Sequence, residues 1–417
     1  MTGRIKTVVL VDLPREKSSG GHVKYWERVA QAAVAGAADD IDLTVYFSGA
    51  AGEEILSPQV RYRYLPPVFS TERLKFLPYV PAHTDLAGFH PALAAELPAY
   101  DVIHTTDACF AFARTAERVA RWNNIPLVTS FHTDTPAYTE IFTRQTLVHL
   151  LGRRVGLFIA DKIGVAAREG RKKQKRVKAH LRACAAILAM RDEDRALAHS
   201  VGADGKVRPM RLGVDKKMFT PDAADRAGIE RDYGIASGKC LVLFVGRVDA
   251  GKNALMLAQA CAQAIAQGAN LHLLMAGLGP QSDEIKKTLG GDVTLAGWVE
   301  PQALPRLYAS VDCLAIASDV EIGGMIGLEA LSAGCPVLVS RHSGVAQACS
   351  ASQAMHMMES GADAWARGLR DLAGDAEHRA SLRAAALEFR QTRLAGWDDV
   401  LRQDFAPVWR EAAKKRG

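Results

Sequence analysis

Glu321-Ile322-Gly323-Gly324-Met325-Ile326-Gly327-Leu328-Glu329 stands directly behind the apolar segment Val311 to Ser318, and its reading decides the fold. An apolar run that stops before a glycine pair predicts a buried strand and a turn, and Gly324 to Ser332 then predicts a helix. The glycines leave free backbone N–H groups at the helix N-terminus, where the aligned peptide dipoles attract an anion. One carboxylate falls before the helix and the other two turns into it. A nucleotide-sugar diphosphate suits such a place, with Glu321 reaching sugar hydroxyls and Glu329 a ribose. Taken alone, the pair reads first as a helix with an acidic start and a surface glutamate.

A second piece lies upstream. The apolar run Leu241 to Val245 ends in Gly246-Arg247-Val248-Asp249-Ala250-Gly251-Lys252-Asn253. A strand that stops at glycine and releases Arg247 and Lys252 onto one loop delivers two cations to the carboxyl edge of a sheet, where open α/β sheets bind ligands. Arginine supplies a planar fork of donors and lysine a point charge, which suits a pyrophosphate leaving group without a metal. Either residue alone reads as an ordinary solvated loop cation. Gly246-x4-Gly251-Lys252 also matches a nucleoside-triphosphate P-loop up to its last position. There Asn253 stands in place of the Ser or Thr that ligates magnesium, and the next strand candidate ends in Met275-Ala276-Gly277 rather than in Asp.

Gly-Arg-x4-Lys after one strand and Glu-x7-Glu-Ala after another resemble the retaining glycosyltransferases of the large family four, which have the GT-B fold. Glu329-Ala330-Leu331-Ser332-Ala333-Gly334-Cys335-Pro336-Val337-Leu338-Val339 is similar to the family's passage from the Glu-bearing helix through Gly-x-Pro into a strand. Gly20-Gly21 resembles its N-terminal glycine loop, Ser130-Phe131-His132-Thr133-Asp134 its His-bearing strand end, and Arg211-Leu212-Gly213-Val214-Asp215 with Phe219 its interdomain segment. Two positions depart from the pattern. Gly323 replaces a common aromatic residue and leaves the sugar side of the pocket roomier, and Gly251 replaces an acidic or amide residue.

The resemblance implies an α/β chain of two Rossmann-like parallel-sheet domains facing across a cleft: 1–210 on the acceptor side, and 211–394 for the nucleotide sugar. Residues 395–417 would cross back to the first domain as a helix. It implies Arg247, Lys252, Glu321 and His132 as catalytic residues and Glu329, Gly20, Gly21, Gly246, Gly323, Gly324 and Met325 as donor-binding ones, with no cofactor and no metal. It also implies retention, by attack on the leaving-group face with the phosphate accepting the acceptor's proton. Thr129 to Tyr138 is locally similar to diacylglycerol-directed members and to some mannose-transferring relatives.

Length and composition agree with two domains. The chain has 417 residues, 48% hydrophobic and 24% charged, ample for two cores. Apolar runs recur with helical stretches between them, at Thr7 to Asp12, Leu43 to Phe47, Val102 to Thr105, Leu127 to Phe131, Ala186 to Met190, Leu241 to Val245, Leu271 to Gly277, Val293 to Val299, Cys313 to Ser318 and Val337 to Ser340. That alternation predicts parallel sheets. Trp397, Val400, Leu401, Phe405, Val408 and Trp409 follow near-helical spacing.

Seven scattered cysteines with no Cys-x-x-Cys pair predict reduced, buried thiols. No uninterrupted apolar run approaches the ~18 residues of a membrane span, and Met1 to Lys6 runs into a strand candidate without a secretory signal. The expected location is cytoplasmic, with peripheral contact to the inner face of the cell membrane. Lys plus Arg exceed Asp plus Glu by 52 − 46 = +6. Arg168 to Lys178 holds seven basic residues and Glu169, also +6, so the excess is one patch. On a helix, Arg168, Arg171, Lys172, Lys175, Lys178 and Arg182 share a side. Such a face suits an anionic membrane or plain solvent; nucleic acid is disfavoured for want of a reading motif or interleaved aromatics. Residues 61–91, with aromatics, cations and five prolines, read as a long loop with a broken helix, fit for an interfacial lipid acceptor or for packing on its own domain.

Asp192-Glu193-Asp194 matches a manganese-holding Asp-x-Asp of another glycosyltransferase fold, but it opens a helix, where Asp serves as an N-cap. The twelve histidines show no zinc spacing. His22 and Asp134 are weaker site candidates beside His132. The expected activity is transfer of a hexose from a nucleotide-diphosphate sugar, UDP-linked first, to a lipid hydroxyl. A soluble sugar acceptor, a non-catalytic nucleotide-sugar sensor and a P-loop-like NTPase are the alternatives; turnover separates the sensor from the enzyme.

Overall fold

The computed structural model describes residues 3–16, 19–71, 85–319, 324–348 and 352–416. The chain divides into two compact units, Met1–Arg211 with Trp397–Gly417, and Leu212–Gly396. In the first, β1 (Ile5–Pro14), β2 (Ile41–Ser48), β3 (Gly52–Ser57), β4 (Val60–Leu65), β5 (Val102–Thr105), β6 (Leu127–Ser130), β7 (Ala186–Ala189) and β8 (Val207–Pro209) form one sheet in the order β3-β4-β2-β1-β5-β6-β7-β8. In the second, β9 (Cys240–Val245), β10 (Leu271–Ala276), β11 (Val293–Gly297), β12 (Cys313–Ile316), β13 (Val337–Ser340) and β14 (Met355–Met358) run β11-β10-β9-β12-β13-β14, parallel throughout. Helices cover both faces, so the central strands are apolar along their whole length and buried: Val8 to Val11 and Leu241 to Leu243 expose nothing.

One expectation is corrected. The start of the stretch 61–91 is not loop but β4, because Val60-Arg61-Tyr62-Arg63-Tyr64-Leu65 alternates with period two. Tyr62 is buried edge-on to Phe47 at 5.3 Å, beneath the Arg15 guanidinium at 4.6 Å, so it is not an interfacial aromatic. β3 pairs antiparallel with β4, and the first sheet is therefore mixed. Arg73, Lys75, Phe76, Pro78, Tyr79 and Pro81 lie outside the described residues, as does Cys349; the other six cysteines are free and buried.

The C-terminal segment packs with the first unit. It is helical over Trp397–Asp399 and Ala406–Ala413, with a π turn over Val400–Phe405. Pro407 has no N–H to continue the i→i−4 ladder, a reason for the turn before it to widen. Phe405 and Trp409 are fully buried, and Phe405 lies 5.0 Å from Trp26. The Arg211 guanidinium holds Asp404 at 2.6 Å, and the Tyr25 hydroxyl donates to the Arg211 carbonyl at 2.9 Å. The segment thus closes over the helix Gly21–Val34.

A charged cluster lies against the helix Val165–Ala183. His180, fully buried, meets the Thr105 hydroxyl at 2.8 Å and the Glu117 carboxylate at 3.2 Å, and Arg176 reaches Glu117 at 2.7 Å. Burial alone would pull His180 down, but contact with Cys184 and Glu117 pushes it up to about 9. The hydrogen bond from His180, with Arg176, holds Glu117 down to about 2. A raised histidine stabilises the fold fully below its ordinary pKa of 6.5 and ceases to do so as pH rises through about 9. Glu117→Gln should therefore cost about 3 kcal/mol or more near pH 6 and remove the loss of stability between pH 6.5 and 9. Urea melts across that window check both.

Candidate functional site

In the second unit the strand ends are stitched by backbone contacts that tolerate only glycine. At Gly277 (φ +152°) a Cβ would fall 1.8 Å from the Gly246 carbonyl oxygen, and at Gly279 it would fall 2.1 Å from that of Val248. The Gly246 N–H donates to Ala276 at 3.0 Å and the Val248 N–H to Leu278 at 3.0 Å. The loop that carries Arg247 and Lys252 is thereby fixed to the end of β10. Asp249 accepts from the Lys252 N–H at 3.1 Å and caps the single turn Ala250–Lys252. Arg247, 78% exposed along its side chain, pairs with Asp249 at 3.0 Å, so its guanidinium is held in solvent beside the loop.

Asn253 shows why the P-loop match stops where it does. It sits in the left-handed region (φ +52°), and its side-chain amide donates to the Ala317 carbonyl at 2.9 Å. Ser318 Oγ donates to the Gly251 carbonyl at 2.9 Å. Both bonds tie the cationic loop to the end of β12, the segment that leads toward the second glutamate helix. Asn253 is a structural clamp there, with its amide engaged by backbone.

The helix Met325–Ser332 begins at Gly324 with no side-chain cap. Ser332 Oγ donates to the Phe219 carbonyl at 2.7 Å, and the helix turns through Gly334 (φ +76°) into β13. Glu329, half-buried on this helix, accepts from the Tyr308 hydroxyl at 3.4 Å. Burial, then the neighbouring Glu329 charge, pushes the Tyr308 phenol well up, so it stays a donor. Gly246, Arg247, Lys252, Gly324, Met325 and Glu329 thus all lie in the second unit. Glu321 and Gly323 lie outside the described residues.

The remaining candidates belong to the first unit. Gly20 precedes and Gly21 opens the helix Gly21–Val34, which places His22 flat on His132, ring centroids 4.5 Å apart and planes within 4°. Tyr25 meets His132 edge-on at 4.9 Å. Burial pushes His22 down to about 3 and His132 well below its ordinary value, so both rings are neutral at pH 7. Asp134 caps the helix Thr135–Leu157, accepting from the Ala137 N–H at 3.0 Å. Beside these residues opens a cavity of about 360 Å³ whose lining includes Thr106, Asp107, His132, Asp134, Arg191 and Asp194.

Asp192-Glu193-Asp194 opens the helix Asp192–His199 from its first turn rather than capping it; Arg191 is the N-cap. The Arg191 guanidinium grips Asp194 through bonds of 2.8 and 2.6 Å, and Arg195 takes Asp192 at 2.8 Å. Among the described residues no group of three or more His, Cys, Asp or Glu side chains could hold a metal. Sequence reasoning missed His104, Asp107 and Arg191. Asp107 and Arg191 each stand just past a strand run, a position that could have flagged them; His104 sits inside its run and carries no such signal.

Residues 225–389 match the family model of the glycosyl transferases group 1. The chain is 29% identical over 213 residues to D-inositol 3-phosphate glycosyltransferase of Nocardia farcinica, covering 47% of this chain and 46% of that one. The chain spans about half the length of the first curated relatives it matches. Among solved structures, sucrose-phosphate synthase from Thermosynechococcus elongatus superposes with a TM-score of 0.69 at 18% identity, covering 98% of this chain and 99% of that one. The HepE protein of Anabaena, solved with UDP and glucose, gives 0.61 at 15% identity, over 96% and 98%. Residues 225–389, most of the second unit, therefore carry a group 1 glycosyltransferase domain. The chain's two sheets are the Rossmann-like halves of the GT-B fold.

The loop cations give a direct test of the site. Arg247→Ala and Lys252→Ala should each lower kcat/KM by more than about tenfold while leaving the thermal midpoint in place, since a charge-assisted contact to a leaving group carries about 1.5 to 3 kcal/mol. Wild-type turnover in both variants would remove the phosphate assignment.

Proposed function

We propose that this protein transfers a hexose from a nucleoside-diphosphate sugar, UDP-linked first among them, to a hydroxyl of a membrane lipid with retention of anomeric configuration. The observation that carries the reading is the Arg247–Lys252 loop, locked by Gly277, Asn253 and Ser318 at the carboxyl edge of the second sheet. Breaking the sugar–phosphate bond develops an oxocarbenium-like sugar and a diphosphate. Donors already fixed in place stabilise the diphosphate charge without reorganising. Arg247, Lys252 and the N–H groups that follow Gly323 fill that role. Glu329 takes the ribose and Glu321 the sugar hydroxyls, while His132 contacts the sugar. The phosphate itself accepts the acceptor's proton, so no separate carboxylate base is required. The UDP bound by HepE, of the same fold, supports the choice of nucleotide.

The lipid acceptor is supported by the surface of the first unit. The helix Thr135–Leu157 kinks at Gly152 (φ +75°) and continues through a π turn, Phe158–Lys162, into Val165–Ala183. Gly170 is pressed so closely on Glu140 that a Cβ there would meet its carboxylate at 2.2 Å, and the two helices form a tight hairpin. Around its turn Leu150, Leu151, Val155, Phe158 and Ile163 are 45–61% exposed. Arg153, Arg154 and Lys162 are exposed among them, and Arg168, Arg171, Lys172 and Lys175 follow along the second helix. Apolar side chains ringed by cations suit an anionic bilayer surface, where each cation contributes about 1 kcal/mol. No described helix is long and apolar enough to cross a membrane.

A soluble acceptor remains the second reading, favoured by the cavity, whose threonine hydroxyls and carboxylates suit a polyol. Incubation with a panel of UDP- and GDP-sugars, with total membrane lipid and with free polyols in separate arms, decides between them by mass spectrometry. A glycosylated lipid is expected; donor binding with no release of nucleotide in any arm would mark a sensor. Joint neutralisation of Arg171, Lys172, Lys175 and Lys178 should abolish sedimentation with anionic vesicles and leave nucleotide binding unchanged. Vesicle binding that survives the quadruple change, or wild type that never binds, would turn the acceptor to the soluble class. A further pair separates the two glutamates: Glu329→Gln should weaken binding of free nucleoside diphosphate, whereas Glu321→Gln should spare it and depress transfer, as titration calorimetry and initial rates will read.

A further inference from the structure

We propose that Trp409, acting through His104 and Ser130, fixes His132 as a neutral ring protonated on Nδ1, so that His132 serves its ligand as a hydrogen-bond donor and not as a base. The catalytic consequence rests on the transfer reading above; the protonation state does not.

The four residues form one chain of hydrogen bonds inside the first unit. Trp409 Nε1 lies 2.9 Å from His104 Nδ1, His104 Nε2 lies 2.8 Å from Ser130 Oγ, and Ser130 Oγ lies 2.8 Å from His132 Nε2. Trp409, His104 and Ser130 are all buried, so water offers them no alternative partner. An indole N–H can only donate. His104 Nδ1 must therefore accept, and a neutral His104 carries its proton on Nε2. Burial among aromatic rings pushes this histidine down to about 3, which keeps it neutral. His104 Nε2–H then donates to Ser130 Oγ. The serine's own hydrogen is left for His132 Nε2, which accepts it, and the neutral His132 keeps its proton on Nδ1.

Two features hold the ring in that state. His22, also neutral, stacks on it with planes 4° apart, and Tyr25 closes its edge. His132 lines the cavity, and Nδ1–H is the donor it has left to offer there. Its only other nitrogen is spent on Ser130, so it has no lone pair free to take a proton from an acceptor hydroxyl. Trp409, His104 and Ser130 are positioning residues: they act on a ligand only through His132.

The direction of the chain is set at its far end, which makes a sharp test. In Trp409→Phe the ring remains but the N–H is lost, and His104 is released to protonate Nδ1. Ser130 can then donate to His104, and His132 must donate from Nε2. Long-range ¹H–¹⁵N spectra of histidine-labelled full-length protein at pH 7, without substrate, should show His132 protonated on Nδ1 in the wild type and in Ser130→Thr. Protonation on Nε2 should emerge in Trp409→Phe, and the Nδ1 preference should be lost in Ser130→Ala. With donor and acceptor present, kcat in Trp409→Phe and Ser130→Ala should fall about tenfold or more, as when a preorganised donor is removed, while the Kd for free nucleoside diphosphate stays within about twofold. A wild-type His132 protonated on Nε2 or on both nitrogens, or a Trp409→Phe spectrum identical to wild type, would overturn the lock even if transfer proceeds. Altered protonation with unchanged kcat would overturn the donor role. Absence of transfer by the wild type would instead sink the transfer reading, with the spectra still deciding the lock.

Discussion

The Gly246 carbonyl occupies the space that a side chain at Gly277 would need. Much of the second unit's chemistry depends on that contact. With β9 and β10 held this close, the loop after β9 has little freedom to fold back over the sheet edge, and its two cations are presented where strand ends and helix starts converge. The clamps from Asn253 and Ser318 add a second line of attachment, to β12. Ordering a loop of this length on ligand binding would cost on the order of 1–2 kcal/mol per residue. Here the ordering is already built into the fold, so a ligand of this loop need not supply it. A larger residue at Gly277 would act on turnover without touching any charged group.

The two units divide electrostatic labour. The second holds charge that is exposed or half-exposed, with Arg247 in solvent against Asp249 and Glu329 beside a phenol held protonated. The first sets neutral imidazoles, His22 and His132, beside a cavity whose lining also carries the paired Arg191–Asp194 fork, and holds a further charged cluster in Glu117, Arg176 and His180. Burial produces this neutrality, since desolvation disfavours the charged ring more than any nearby group restores it.

Much of this was legible in the sequence, for identifiable reasons. Buried parallel strands are apolar along their length, and runs such as Leu241 to Val245 announce themselves; the edge pair β3 and β4 does not, because Arg61, Arg63 and two tyrosines, Tyr62 buried and Tyr64 half-exposed, carry a weak alternation inside a proline-rich stretch. The position of the cationic loop was legible because the apolar run Leu241 to Val245 stops at Gly246, just before Arg247 and Lys252. His22 against His132 was not, since it depends on the orientation of a helix start on a strand end. The chain from Trp409 to His132 is further still from sequence: it joins residues 305 apart along the chain at its first step, and only a tertiary structure can bring an indole from the last helix beneath the fifth strand.

The helical hairpin near residues 150–163 illustrates how range separates two forces that static contacts blur. Its cations act over a Debye length of about 8 Å at physiological ionic strength and weaken as salt rises. Leu150, Leu151, Val155, Phe158 and Ile163 act only on contact, at roughly 25 cal/mol per Å² removed from water, and do not weaken with salt. Attraction without insertion would give binding that salt abolishes, and insertion without attraction would give slow binding indifferent to lipid charge. A surface that carries both forces should be captured through charge and retained through burial. For such a surface, salt added before mixing with vesicles should slow association far more than salt added afterwards drives release.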